Sequence, residues 1–239
     1  MKTKNLKEES KQHFLQTDDI FTAAKEGNFE LVKTWIAHGT DVNAEDEYAC
    51  SPVIYAAEHG HMRIVKYLIE YGADKETLNE ALHKASHWGH FDVCHWLVEG
   101  GADVNAVDEN NETPLMKSAA KGLFDITRYL VQHGADINAV DGDGISALMY
   151  ASAIGDIYIV KYLLELKEGF DIDPVDNKGR SALMYAVDHG ETAIVKYLVE
   201  LGADSGLKDF EGRTALAIAK QHAILFINYN EIVQYLKSL

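Results

Sequence analysis

The feature that most constrains this chain is a recurring interval. Asp41, Asp74, Asp103, Asp136, Asp171 and Asp204 follow one another at spacings of 33, 29, 33, 35 and 33 residues. A glycine recurs in step, at Gly27, Gly60, Gly89, Gly122, Gly155 and Gly190. The stretch Ser181–Asp209 displays the unit behind the interval. Ser181 is placed to cap a helix, its hydroxyl accepting a backbone N–H of the first turn. Leu183, Ala186 and Val187 recur at helical spacing, and Gly190 ends the segment as a left-handed glycine does. A second amphipathic run follows, with Ile194, Val195, Leu198 and Val199 on its apolar face. Gly202 closes it, and the residues up to Asp209 are polar and turn-like. The unit is helix, tight turn, helix, loop. Two such short helices cannot bury their apolar faces alone, so each unit needs neighbours of its own kind.

The motifs at these positions resemble the ankyrin-repeat family. Thr113-Pro114-Leu115-Met116, Ser51-Pro52-Val53-Ile54 and Leu82-His83 stand where that family has Thr-Pro-Leu-His. Gly101–Asn105 and Gly134–Asn138 match its Gly-Ala-Asp-Val-Asn segment. The resemblance implies an all-α solenoid of about seven helix-turn-helix-loop repeats, the first and last acting as caps. A single domain is expected over residues 18–239, with repeats at about 18–45, 46–74, 75–103, 104–136, 137–171, 172–204 and 205–239. Residues 1–17 are polar and lysine-rich and read as a flexible leader or a short extra helix.

Three departures from the period are visible. Repeat three is four residues short before Leu82, which predicts a truncated finger-like loop and a notch in the row of loops. Repeat five carries two extra residues near Leu166–Phe170. Repeat seven has about five extra residues around Ala223–Asn230, with Ala223 where a glycine is expected. This insert holds Ile224, Leu225, Phe226, Ile227 and Tyr229. Its plainer reading is a longer first helix covering the end of the stack. The other is an exposed apolar patch that contacts a partner.

Charge narrows the partners. With 22 Lys and Arg against 38 Asp and Glu, the formal charge is −16. A field of that sign repels nucleic acid and anionic membrane surfaces and favours a basic protein. The two cysteines, Cys50 and Cys94, lie in different repeats and suit a reducing compartment. No signal-peptide or membrane-spanning run is present. The expected setting is the cytoplasm, with the nucleus or delivery into a host as alternatives, and the chain is expected to be monomeric on its own.

The resemblance further implies that loop tips and first-helix edges line a concave binding side. The matching positions are Glu47, Tyr48, Cys50, Glu58 and His59 in repeat two, and Asn79, His87 and Trp88 in repeat three. Repeat four contributes Glu109, Asn110, Glu112, Ala120 and Lys121, and repeat five Gly142, Asp143, Ile145, Ala153 and Ile154. Repeat six gives Asn177, Lys178, Arg180, Asp188 and His189. Repeat seven gives Phe210, Glu211, Arg213, Gln221 and His222. Tyr48, Trp88, Ile145, Ile154 and Phe210 stand out as interface anchors. Acidic residues dominate repeats two and four, while Lys178, Arg180 and Arg213 cluster at the far end, a gradient that suits a partner with one basic and one acidic section. Tyr55, Tyr150 and Tyr185 share one position, with Lys84 and Lys117 at it in the repeats between, and are expected to pack between neighbouring first helices.

Catalysis and cofactors are not expected. His83 and His87 stand at i,i+4 beside His90, Cys94 and His95, a zinc-like spacing. His83, however, occupies the family's motif histidine, where hydrogen bonding between units is implied, and Cys94 reads as a core residue. Gly142-Asp143-Gly144 follows no strand, and Asp141 with Asp143 lacks the further ligands of a calcium loop, so a turn is the reading. Asn111-Glu112-Thr113 fits a glycosylation sequon, in a repeat loop of a chain expected in the cytoplasm. Asn43, Asn105 and Asn138 resemble sites of asparaginyl hydroxylation in ankyrin arrays, though stabilising the turn is the favoured role. The function expected is a non-catalytic adaptor, scaffold or inhibitor binding a partner protein. The alternatives are a subunit docking through its apolar C-terminal end, or a microbial effector acting on host proteins.

Overall fold

The computed structural model describes residues 19–166 and 172–239. The leader at 1–17, the loop position of Asp171 and most of the two-residue excess in repeat five lie outside the described residues. Contacts divide the chain into two compact units, Met1–Ala106 and Val107–Leu239. Among the described residues there is no β-strand, only an isolated antiparallel bridge between Val140 and Ser146.

The first unit holds α1 (Ile20–Lys25), α2 (Phe29–Ala37), α3 (Pro52–Glu58), α4 (Met62–Glu70), α5 (Lys75–Trp88) and α6 (Phe91–Glu99). The second holds α7 (Pro114–Ala120), α8 (Phe124–Gln132), α9 (Ala147–Ile154), α10 (Ile157–Glu165), α11 (Ala182–Asp188), α12 (Thr192–Glu200), α13 (Ala215–Ala223) and α14 (Tyr229–Lys237). Every helix pair repeats one plan. The first helix starts at a Ser, Thr or Asp in extended backbone, and Pro52 and Pro114 fit the first turn, where a missing N–H costs nothing. Thr113, Ser146 and Thr214 each accept a backbone N–H three residues on, at 3.3 Å. Ser181 does not: it occupies the cap position in extended backbone, but its hydroxyl is buried without a hydrogen-bond partner, so the expected side-chain cap is absent there.

The core is built from small residues. Ala56, Ala57, Ala81, Ala85, Ala119, Ala151, Ala182 and Ala186 are fully buried on first helices. First helices contact one another in succession, α1–α3–α5 in the first unit and α7–α9–α11–α13 in the second. Larger residues of the second helices, among them Ile64, Leu68, Leu97, Leu130, Ile159, Leu163 and Leu198, fill the layer behind them. In the first repeat Ala23, Ala24, Leu31 and Val32 are buried, while Trp35 and Ile36 are only half covered. No helix among the described residues is long and apolar enough to cross a membrane.

The inter-helix glycine couples neighbours. Gly60 lies at φ +76°, and a Cβ there would sit 2.7 Å from Nδ1 of His90 in the next repeat. His90 Nε2 hydrogen-bonds the Glu58 carbonyl at 3.0 Å, and His61 Nε2 does the same to the Lys25 carbonyl at 2.9 Å. In the last repeat the Tyr229 hydroxyl takes over this role, donating to the Asp188 carbonyl at 2.7 Å beside Gly190.

Two regions differ from expectation. In repeat three the finger is not merely cut short: α5 runs for 14 residues, capped by Asp74 Oδ1 accepting from Thr77 N at 2.8 Å. Helix stands where a loop and a notch were expected, because Lys75–Ala85 contains good helix formers and no glycine or proline. In repeat seven the first helix extends only to Ala223. Ile224, Leu225, Phe226 and Ile227 are exposed rather than covering the stack, and Tyr229 is buried.

Ala186 is fully buried between first helices, so Ala186→Arg should destabilise the fold by ~3 kcal/mol or more, as severe overpacking does. A urea midpoint equal to the parent's would refute this core. Glycine gives a paired test. At Gly60, alanine meets both positive φ and the His90 ring, whereas at Gly72 (φ +97°) nothing lies within 4 Å. Gly60→Ala should therefore lose clearly more stability than Gly72→Ala, whose cost is backbone strain of about 1–2 kcal/mol.

Candidate functional site

The candidate surface is built on loops, and each finger loop is built on one aspartate. Asp46, Asp108, Asp141, Asp176 and Asp209 each stand five residues before the Ser or Thr that starts a first helix. Oδ1 of Asp176 accepts the N–H groups of Lys178 and Arg180, both at 2.8 Å. The other four repeat the arrangement, with donors two and four residues on: Tyr48 and Cys50, Asn110 and Glu112, Asp143 and Ile145, Glu211 and Arg213. Oδ2 turns to the following first helix. It accepts from the hydroxyl of Tyr55 at 2.6 Å, Tyr150 at 2.7 Å and Tyr185 at 2.8 Å. Lys117, at the same position, reaches Asp108 at 2.8 Å and also pairs with Glu112. These tyrosines thus tie each loop to its own helix. Tyr55 also meets Phe21 of the preceding first helix edge-on, with ring centres 6.5 Å apart.

In the second unit the loops are laced to one another. Gly142 N donates to the Asn110 carbonyl, Asn177 N to the Asp143 carbonyl and Phe210 N to the Lys178 carbonyl, each at 2.9 Å. Residue one of each finger thus bonds residue two of the finger before it. A polar recess forms between two of these loops, lined by Glu109, Asn110, Glu112, Asp141, Asp143 and Tyr150 among others. In the first unit, side-chain amides accept from loop backbone, once between repeats one and two and once within repeat three. Asn43 Oδ1 accepts from Asp74 N at 3.0 Å, and Asn79 Oδ1 accepts from Asp103 N at 2.7 Å.

On this frame the anchors divide. Tyr48 is 73% exposed, Trp88 58% and Phe210 78%. Ile154 is less open, Ile145 is half covered, and the Phe210 ring rests partly over Gly179. Glu47, His59, Glu109, Asn110, Lys121, Asp143, Lys178 and His189 are exposed; Glu58, Asn79, His87, Glu112, Arg180, Asp188 and Arg213 are half-buried. Several of these are engaged within the chain. Asn79 serves the loop of Asp103. Asp188 pairs with His222 Nε2 at 2.7 Å. Arg180 is held by Asp176 at 3.0 Å and lies over the Tyr185 ring, and Arg213 is held by Asp209 at 2.8 Å. The cationic end expected from Lys178, Arg180 and Arg213 is therefore largely internal, because two of its three charges face buried carboxylates.

Other chemistry at these positions is structural. His83 is buried on α5, and His90 is spent on the Glu58 carbonyl. Cys94 is fully buried with Ser86 Oγ at 3.7 Å, and burial pushes its thiol up to about 12. Among the described residues no group of three or more His, Cys, Asp or Glu is arranged to hold a metal ion. Sequence reasoning read Asp141 as part of a turn but missed that Asp46, Asp108, Asp176 and Asp209 build fingers in the same way, although their constant five-residue offset from a Ser or Thr is a signal that could have found them.

Three segments, residues 20–108, 101–176 and 148–238, match a family model described as ankyrin repeats. A 61-residue stretch is 42% identical to protein phosphatase 1 regulatory subunit 27 of Homo sapiens, covering 26% of this chain and 40% of that protein. A 63-residue stretch is 36% identical to the scaffold protein ILK of Homo sapiens, covering 26% of this chain and 14% of that protein. A 44-residue stretch is 43% identical to the putative ankyrin repeat protein FPV244 of fowlpox virus, covering 18% of this chain and 7% of that protein. The chain thus spans at most 40% of the length of these relatives.

Asp46, Asp108, Asp176 and Asp209 make stability acid-sensitive. Burial works against the charge of Asp176, yet the N–H groups of Arg180 and Lys178, the Tyr185 hydroxyl and the Arg180 guanidinium hold its carboxyl below the ordinary range. Burial is likewise outweighed at Asp108 by Lys117 and backbone N–H groups, and at Asp209 by Arg213. At Asp46 the Tyr55 hydroxyl is the main cause of the same shift. These groups are more acidic folded than unfolded, so falling pH protonates the unfolded chain first. Their contribution is complete above the unfolded value of ~3.9 and is lost as pH falls through the lower folded values. The urea midpoint should be level above about pH 5 and drop below about pH 4, less steeply for Asp176→Asn. A midpoint level down to about pH 3 would contradict the assignment.

Proposed function

Because the chain belongs to the ankyrin-repeat family, we propose that it acts as a non-catalytic adaptor, scaffold or inhibitor, holding a partner protein on its loop tips and first-helix edges. Residues 18–239 serve as one recognition domain in this reading. The observation that carries it is the contrast within the loops. Their backbones are tied by Asx bonds, while Tyr48 and Phe210 at their tips, and Trp88 at the end of α5, stand largely in solvent. Rigid aromatic side chains on a pre-ordered backbone lose little entropy on docking and are the residue types that anchor interfaces. The names of two relatives, a regulatory subunit and a scaffold protein, agree with such a role.

The partner's charge follows from what is left over. Arg180 and Arg213 face Asp176 and Asp209, whereas Glu47, Glu109 and Asp143 are exposed on an acidic chain. A protein presenting a basic segment fits this surface better than one with both basic and acidic sections, and association with it should weaken with salt.

The test is capture from native-cell lysate by the whole chain, beside a Tyr48→Ala, Trp88→Ala, Phe210→Ala variant of matched melting temperature. A partner held by the parent should bind the variant at least ~tenfold more weakly, or ~1.4 kcal/mol. Equal affinity for both would move the interface away from these loops.

A further inference from the structure

We propose that the loop between α13 and α14 is the contact through which two copies of this chain associate. The loop is apolar at its tip and firmly held at its base. Ile224, Leu225 and Ile227 are 81%, 78% and 86% exposed, and Phe226 is 52% exposed. Leu225 N and Phe226 N both donate to the His222 carbonyl, and Asn230 N donates to the Ile227 carbonyl. Tyr229 is buried, its hydroxyl on the Asp188 carbonyl and its ring stacked on His222 with centres 4.8 Å apart. The tip is therefore a pre-ordered knob, and docking it orders little backbone.

Area and charge identify the occupant. Four large apolar side chains at these exposures offer on the order of 500 Å², a contiguous patch at the size of a monomer's largest, of about 300–600 Å², which is often functional. Two such knobs with their rims together reach the roughly 1,000 Å² that a specific interface requires. A purely apolar patch is its own complement, as a twofold contact demands. Residues 205–239 carry Lys208, Arg213, Lys220 and Lys237 against Asp209, Glu211 and Glu231, so the charge of −16 lies entirely elsewhere in the chain. Bringing two of these repeats together opposes no net negative charge, whereas pairing two copies through the same one of repeats one to six does, since each of those carries more Asp and Glu than Lys and Arg. This departs from the monomer expected from the sequence.

Sedimentation velocity on the intact chain, from about 1 to about 200 µM, tests it. The parent should move from 26.6 kDa toward twice that mass. An Ile224→Asp, Ile227→Asp variant of unchanged melting temperature should dimerise at least ~100-fold more weakly, as expected when charges enter a dry patch. The Tyr48→Ala, Trp88→Ala, Phe210→Ala variant should dimerise as the parent does. Leu225→Cys gives a readout independent of those substitutions: mild oxidation should link two copies through position 225. A parent that stays at single-chain mass throughout overturns the proposal. So does a dimer that survives Ile224→Asp, Ile227→Asp while Leu225→Cys yields no linked product, or a monomer that instead binds neutral phosphatidylcholine vesicles through the knob.

Discussion

A side chain from one repeat laid over the left-handed glycine of the repeat before it is the contact on which the rest depends. The turn at Gly60 needs positive φ, and the space left by the missing Cβ is filled by His90 of the next repeat. The same absence of a side chain therefore serves twice, in the backbone reversal and in the approach of a neighbour. Where the overlying residue is not histidine the seat persists. A Cβ at Gly155 would strike the Glu191 carboxylate, and one at Gly190 would crowd Tyr229. With turns seated in this way, alanine on the first helices lets their backbones come close, and the larger aliphatic residues are left to the second helices.

The second recurring device explains how so acidic a chain builds ordered loops. An aspartate that accepts two N–H groups from its own loop and a hydroxyl or cation from its own helix replaces a hydrophobic core at the tip, where there is none. The negative charge is stabilised locally by donors rather than diluted by solvent. Four aspartates are used this way, at 46, 108, 141 and 176, and Asp209 takes its cation from Arg213 of its own loop instead. The repeat without a finger has no such residue and continues as helix. With the backbone of the tip held in this way, Tyr48 and Phe210 stand largely in solvent, although the Asn177 amide and the Phe210 ring still touch the neighbouring loop.

The fold was legible because its signals are periodic: a glycine every thirty-odd residues, alanines on the first helix of each pair, aliphatic stripes on the second. Breaks in the period were visible too, but their consequence was not. A deletion before Leu82 reads as a missing loop until Asp74 is seen as a helix cap followed by residues with no reason to leave the helix. Arg180 and Arg213 read as surface charge until each is placed four residues after a buried aspartate. In both places the sequence holds the signal at short range, at spacings of three to five residues, beneath the longer period of the repeat. The exposure of Tyr48, Trp88 and Phe210 was legible from position alone, because what exposes them is the plan of the repeat rather than any local feature.

The last repeat shows how a break can be tolerated and still leave a mark. His61 and His90 sit directly after their turns and reach back to a carbonyl two residues before the preceding glycine. In the last repeat the chain runs on through residues 224–228 before Tyr229 returns to that same carbonyl position, on Asp188. The longer phenol closes the seat that a histidine closes elsewhere, and α14 then buries Ile232, Val233 and Leu236 as a second helix should. Of the intervening residues Phe226 meets the buried phenol, its ring centre 6.2 Å from that of Tyr229, while Ile224, Leu225 and Ile227 stand in solvent. Solvated loops favour polar residues and glycine, so Ile224, Leu225 and Ile227, held out in solvent above a bonded base, are the residues that the proposed contact between copies would use.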